Sequence, residues 1–277
     1  MKKMLSLALV LVLMMSLAAC GAKTETPAAT TAPAAAAETT AAAAETEAAA
    51  AEVSTIEAGK LIMSTNASFP PYEMIADDGS IEGIDVEVAD AIAKKLGLEL
   101  EVDDMDFDAA LLAVQQNKSD IVMAGVTVTD DRKLVMNFTD SYATGVQVVI
   151  VKEGSDVTLD NLGEKMIGTQ RGTTGYIYPS DDYGDDHVTA YDNGASAVQA
   201  LQNGQVDCVV IDAAPAEAYV EANPGLTILD TEYVTENYAI GVNKDNTALL
   251  DAINGALAEL TADGTLDAIV GKYITAE

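Results

Sequence analysis

The sequence contains no tryptophan, three phenylalanines, one histidine, two cysteines and two arginines among 277 residues. Each shortage closes off a class of function. His187 alone, with Cys20 and Cys208 far apart in the chain, cannot supply the closely spaced ligands of a zinc site, and two distant cysteines build no disulfide framework. Lys and Arg number 14 against 45 Asp and Glu, a formal charge of -31. That charge repels a phosphate backbone and an anionic membrane surface alike. No nucleic-acid partner, no metal and no cofactor is therefore expected, and few residues remain for nucleophilic catalysis.

What is present begins with an export signal. Lys2 and Lys3 precede a largely apolar run from Met4 to Ala19, shorter than the ~20 residues of a spanning helix and ending in small residues. Leu17-Ala18-Ala19-Cys20 looks like a bacterial lipobox, so residues 1–19 are expected to be removed and Cys20 to carry lipid, palmitate included. An ordinary secretory signal is the alternative, but it gives no reason for a cysteine at the cleavage point. Residues 21–52 hold 16 Ala, seven Thr, five Glu and two Pro. Such a composition buries too little apolar surface to offset its ordering entropy. Residues 20–58 are thus expected to be a disordered tether, of which 21–52 alone would reach about 110 Å if fully extended.

From Val53 onward the chain has 40 of the 45 acids and 11 of the 14 bases. The apolar runs Leu61–Met63, Ile121–Ala124, Val146–Val151 with Gln147 inside it, and Cys208–Ile211 read as strands buried on both faces. Between them lie helical patterns, Val86 to Leu96 ending at Gly97 and Ala195 to Asn203 ending at Gly204, with two more near Thr247–Leu260 and Leu266–Tyr273. Strands alternating with helices predict an α/β fold with a mainly parallel sheet.

Ligands of such folds bind beyond the carboxyl ends of strands. The strand ends here carry Asn66 and Phe69, Gly125 to Arg132, Gly168 to Gly175, and Asp212, a set suited to a small polar ligand. Both arginines lie in these loops. Arginine's planar fork grips a carboxylate with two hydrogen bonds, as lysine cannot, although either Arg132 or Arg171 could equally be a solvated cation. Asp212 ends an apolar strand, where it could cap the next helix, accept from a ligand ammonium, or do both. Phe69, held by Pro70-Pro71, and Phe107 are pocket walls or core rims.

Several motifs occur together and in order: Thr65-Asn66-Ala67-Ser68-Phe69-Pro70-Pro71-Tyr72, Gly83-Ile84-Asp85-Val86-Glu87, Met105-Asp106-Phe107, Gly125 to Arg132, Gly172-Thr173-Thr174 and Tyr238-Ala239-Ile240-Gly241. On these the chain from about Gly59 resembles the family 3 extracellular solute-binding proteins, the polar amino acid receptors of ABC importers. The resemblance implies a type II periplasmic-binding-protein fold, with two α/β lobes, two crossing hinge strands and a ligand cleft between the lobes. Lobe one would span 59–145 plus 237–277, and lobe two 146–236. It implies a monomeric, extracytoplasmic, lipid-anchored protein that takes a free L-amino acid to an ABC permease and catalyses nothing. Arg132 would bind the ligand carboxylate with Thr127, Gly125 and Thr173, Asp212 the ammonium, Phe69 and Phe107 the walls, and Asn66, Gln170 and Tyr238 the side chain.

Asn66 stands where basic amino acid receptors often carry Asp, and Gln170 where the glutamine receptor carries Lys. Both departures favour a neutral polar ligand, while Glu73 and Glu236 keep a basic one in play. Two other functions compete. A dehydratase similar to this fold would need Glu73 or Glu236 as general acid, and a surface or sensor protein would bind no amino acid at all. The Asp181–Asp186 cluster lacks EF-hand spacing, and Cys208 reads as an inert core residue.

Overall fold

The computed structural model describes residues 53–230 and 232–274. The signal segment, Cys20 and the tether up to residue 52 lie outside the described residues, so the expectations for them stand apart from the fold. In chain order the elements are β1 (Lys60–Thr65), β2 (Ser68–Phe69), β3 (Glu73–Ile75), β4 (Ile81–Glu82), α1 (Ile84–Leu96), β5 (Glu99–Asp104), α2 (Phe107–Gln115), β6 (Ile121–Val122), α3 (Asp130–Val135) and β7 (Met136–Lys152). There follow β8 (Ile167–Gln170), α4 (Thr174–Tyr183), β9 (Val188–Tyr191), α5 (Gly194–Gln202), β10 (Cys208–Asp212), α6 (Ala213–Ala222), β11 (Leu226–Ile228), β12 (Val234–Asn243), α7 (Thr247–Ala262) and α8 (Thr265–Tyr273).

The main sheet runs β5-β1-β6-β12-β7-β10-β8-β9, with β11 alongside β7. It is mixed, where a mainly parallel sheet was expected. β1 pairs in parallel with β5 and β6, and β8 with β10 and β9. β7 and β12 run antiparallel to each other and to their outer neighbours β10 and β6. Two parallel βα cores are therefore joined through two long strands, which is how one sheet serves two lobes. The expected Val146–Val151 strand is only the end of the 17-residue β7. Its first part shows no apolar run, because Asn137, Thr139, Asp140, Ser141 and Thr144 interrupt it.

Strand alternation sorts the core. In lobe two, Val148, Ile150, Val209 and Ile211 face α5 and α6, while Val149, Val151, Cys208 and Val210 face the opposite side with Leu162 and Ile167. In lobe one the larger core joins Leu61, Met63, Ile121 and Ile240 to α1 and α7, and a smaller one joins Phe107, Val114 and Val122. Helix α1 shows local rules at work: Asp85 and Glu87 lie in its first turn, Lys94 and Lys95 in its last, and Gly97 closes it in the left-handed conformation at φ 70°. The tether expectation runs six residues too far. Val53 packs on the lobe-one core, the Ile56 amide donates to Asp120 at 2.8 Å, and Asn246 donates to the Ser54 carbonyl. Among the described residues no helix is long and apolar enough to cross a membrane.

Candidate functional site

The strand ends and hinge strands meet at one cleft, and all ten residues expected to contact ligand line it: Asn66, Phe69, Phe107, Gly125, Thr127, Arg132, Gln170, Thr173, Asp212 and Tyr238. Glu73, Gln147 and Thr174 line it with them.

Arg132 enters from α3, whose first turn is held by the Thr129 hydroxyl accepting from the Arg132 amide at 3.2 Å. The side chain is buried, with its Cζ 5.4 Å from the centre of the Phe107 ring. Nη1 donates to the Thr127 carbonyl at 2.8 Å and Nη2 to the Gly172 carbonyl at 3.0 Å. Both partners are neutral. Burial pulls the guanidinium pKa down and Glu236 opposes the pull, so the site holds a desolvated cation with only carbonyls on its nitrogens, an arrangement that an entering carboxylate completes. Thr173 stands beside it as the N-cap of α4 but its side chain makes no cap bond, so the amides of Thr174 and Gly175 at that helix's start are a further attraction for an anion.

Asp212 is 2% exposed. It caps α6 by accepting from the Ala214 amide at 3.1 Å, and its other oxygen accepts from the Val146 amide and the Tyr238 hydroxyl, each at 2.9 Å. Burial pushes its pKa up to about 6 against those three hydrogen bonds. A carboxylate strained in this way gains from an ammonium brought close. Gly145 makes room for the arrangement: a Cβ there would lie 2.4 Å from the Tyr238 ring and 2.7 Å from the Asp212 carboxylate. Gly125, at φ 54°, likewise lies where a Cβ would come within 2.7 Å of Phe69. Phe69 stacks on Tyr72 at 5.6 Å, and Tyr72 meets Tyr238 edge-on at 5.4 Å.

The side-chain end of the cleft differs from the sequence reading. Asn66 and Gln170 bond to each other, Gln170 Nε2 donating to Asn66 Oδ1 at 2.9 Å, while Asn66 Nδ2 donates to the Met105 carbonyl at 2.8 Å. Glu73 is 1% exposed, and among the described residues no donor reaches either of its oxygens. Glu236 stands behind the lining, accepting from Thr127 at 3.1 Å and from Gln147 Nε2 at 2.9 Å. Gln147 is the lining residue that sequence reasoning passed over. Its signal was there, a lone amide inside the Val146–Val151 run, and its Oε1 is buried without a partner. Arg171 lies outside the cleft, exposed and paired with Asp192 at 2.9 Å. His187 Nδ1 lies 3.4 Å from the Lys165 carbonyl, and Asp182 accepts from the Tyr233 hydroxyl. Cys208 is buried in β10 and its thiol is pushed up to about 12 by burial, which keeps it protonated and unreactive.

A cleft with a buried cation at one end and a buried carboxylate at the other, between lobes joined by two strands, matches known proteins. The bacterial extracellular solute-binding proteins, family 3, match over residues 61–276. The chain belongs to this family. Among relatives of this solute-binding protein, a probable histidine-binding protein of Neisseria gonorrhoeae is 35% identical over 78% of this chain and 83% of its own length. The arginine-binding extracellular protein ArtP of Bacillus subtilis is 35% identical over 79% and 87%. Among solved structures, an ancestral arginine-binding protein bound to arginine is 41% identical, with a TM-score of 0.74 over 78% of this chain and 98% of that one. The same kind of ancestral protein bound to glutamine gives 40% and 0.75 over 79% and 99%. These neighbours have the two-lobed type II periplasmic-binding-protein fold, as this chain does, and the family members are extracytoplasmic binding proteins for amino acids, working with ABC transporters.

Proposed function

We propose that this chain is the lipid-anchored receptor of an ABC importer and captures one free L-amino acid between lobes 59–145 plus 237–277 and 146–236. The observation that carries the reading is the pairing of opposite buried charges in one cleft, Arg132 with neutral partners and Asp212 with its raised pKa. In this scheme the ligand carboxylate docks on Arg132, Thr127, Gly125 and the α4 amides near Thr173, and its ammonium on Asp212. Each lobe gains partners only when the cleft closes, so ligand favours the closed form by differential affinity. No bond breaks, and of the two acids that a dehydratase would use, Glu236 is engaged behind the lining.

For the ligand side chain, Asn66 and Gln170 support a neutral polar group and Glu73 supports a cationic one. The second has the stronger support, because the two amides partly satisfy each other while Glu73 keeps both oxygens free of donors in the cleft. Relatives named for arginine and histidine point the same way. A thermal-shift screen of the twenty amino acids, followed by calorimetry, tests the reading. Stabilisation by a basic amino acid is expected, and no stabilisation by any amino acid would leave the surface-protein reading instead. Cys20→Ala is expected to abolish fatty-acid labelling and release the protein from the membrane.

A further inference from the structure

Beside the cleft two buried carboxyl groups come close, for the Asp85 amide donates to the carbonyl of Tyr72, the residue before Glu73, at 2.9 Å. Glu73, on β3, lines the cleft with neither oxygen reached by a donor. Asp85, in the first turn of α1, is 0% exposed and accepts from the Gly125 amide at 2.9 Å and the Tyr142 hydroxyl at 2.7 Å. The other groups that face Glu73 are Asp104 of β5, Tyr142 of β7, Tyr219 of α6 and, beside it in the chain, Tyr72. None is a cation. Among the described residues no lysine or arginine acts on either carboxyl.

Two neighbouring carboxylates buried without a counter-charge among the described residues cannot both stay ionised. With one proton between them, an acceptor facing an acceptor becomes a hydrogen bond. Glu73 is the group that carries the proton, because Asp85 already has two donors to hold its charge. Burial and Asp85 hold the Glu73 carboxyl well above the usual range, while Asp85 is raised to about 6.

We propose that this proton selects the ligand's side chain. With the proton in place, Glu73 offers an O–H to a neutral side chain that accepts a hydrogen bond. With the proton released to solvent, Glu73 offers a carboxylate to a cationic side chain, so a cation is captured in exchange for one proton. Asp85 acts as the positioning residue: it touches no ligand, it holds Gly125 at the carboxylate end, and it sets how firmly Glu73 keeps its proton. The proposal rests on the cleft being an amino acid site.

Titration calorimetry on the full chain with L-arginine and L-glutamine, each in phosphate and in Tris between pH 6 and pH 8, tests it. Arginine is expected to bind with a heat that differs between the buffers by the equivalent of about one released proton, and to tighten toward about tenfold per pH unit. Any glutamine binding is expected to release only the part of a proton that Asp212 still holds near pH 6, and so to show no buffer dependence by pH 8. Glu73→Gln is expected to weaken arginine by about 10- to 100-fold and remove its proton release. Asp85→Asn, which frees Glu73 to ionise at lower pH, is expected to reduce the proton count while arginine still binds, a change that a merely structural role would not cause. Tight arginine binding with equal observed heats in both buffers at every pH overturns the exchange. Binding of neutral amino acids only also overturns it, while leaving the amino acid site intact. Binding of no amino acid at all overturns the site reading, and the exchange with it.

Discussion

Tyr219 of α6 donates its hydroxyl to the Ser68 carbonyl on β2 at 2.7 Å. Its ring packs with the lobe-two core, while Ser68 belongs to the small sheet next to α1. The bond therefore ties the lobes together without either residue lining the cleft. Tyr219→Phe keeps the packing and removes the tie. One hydrogen bond of this kind contributes about 0.5 to 1.5 kcal/mol. Ligand affinity is expected to fall by about 2- to 10-fold, mainly through faster dissociation, as measured by stopped-flow release.

The two arginines are expected to separate sharply. Arg132→Ala removes the only guanidinium in the cleft and leaves a sequestered ligand carboxylate unpaired, at a cost of about 3 to 5 kcal/mol, or at least about 100-fold in affinity. Arg132→Lys is expected to restore little, since an ammonium cannot reproduce the planar fork. Arg171→Ala breaks an exposed pair with Asp192. Calorimetry should find its affinity unchanged and its stability within about 1 kcal/mol of the parent.

Gly145→Ala tests the close approach under Asp212. The added methyl meets the Tyr238 ring and hydroxyl and the Asp212 carboxylate together. Urea unfolding is expected to show a loss of about 1 to 3 kcal/mol, accompanied by weaker ligand binding. A loss of stability with unchanged affinity would separate Gly145 from the site.

The ligand-free protein is expected to gain stability on mild acidification. Asp85 and Asp212 have folded pKa values raised from 3.8 to about 6. Their contribution is fully present below 3.8 and is lost as pH rises through about 6. Going from pH 7 to pH 5 should return about 1 kcal/mol for each. Asp78, Glu87, Asp156 and Asp263 are held low, and they act only below their ordinary values of 3.8 and 4.5. Thermal unfolding at pH 5, 6 and 7 checks this, and Asp85→Asn or Asp212→Asn is expected to flatten the profile.

The sequence by itself determined what is local. Apolar runs marked β1, β6, β10 and the end of β7, Gly97 stopped α1, and strand ends carried the polar residues that line the cleft, because a strand's end and a helix's cap depend on residues a few positions away. The doubled role of Asp212 as cap and cleft carboxylate was legible for the same reason. Tertiary structure decided which polar groups have spare capacity. Asn66 and Gln170, far apart in the chain, meet and bond, and so lose much of their freedom to read a ligand. Glu73 is buried with no donor among the described residues, and Gln147 turns inward from a strand that looks apolar. Burial and partnership are set by residues brought together across the whole chain, and no spacing along it reports them.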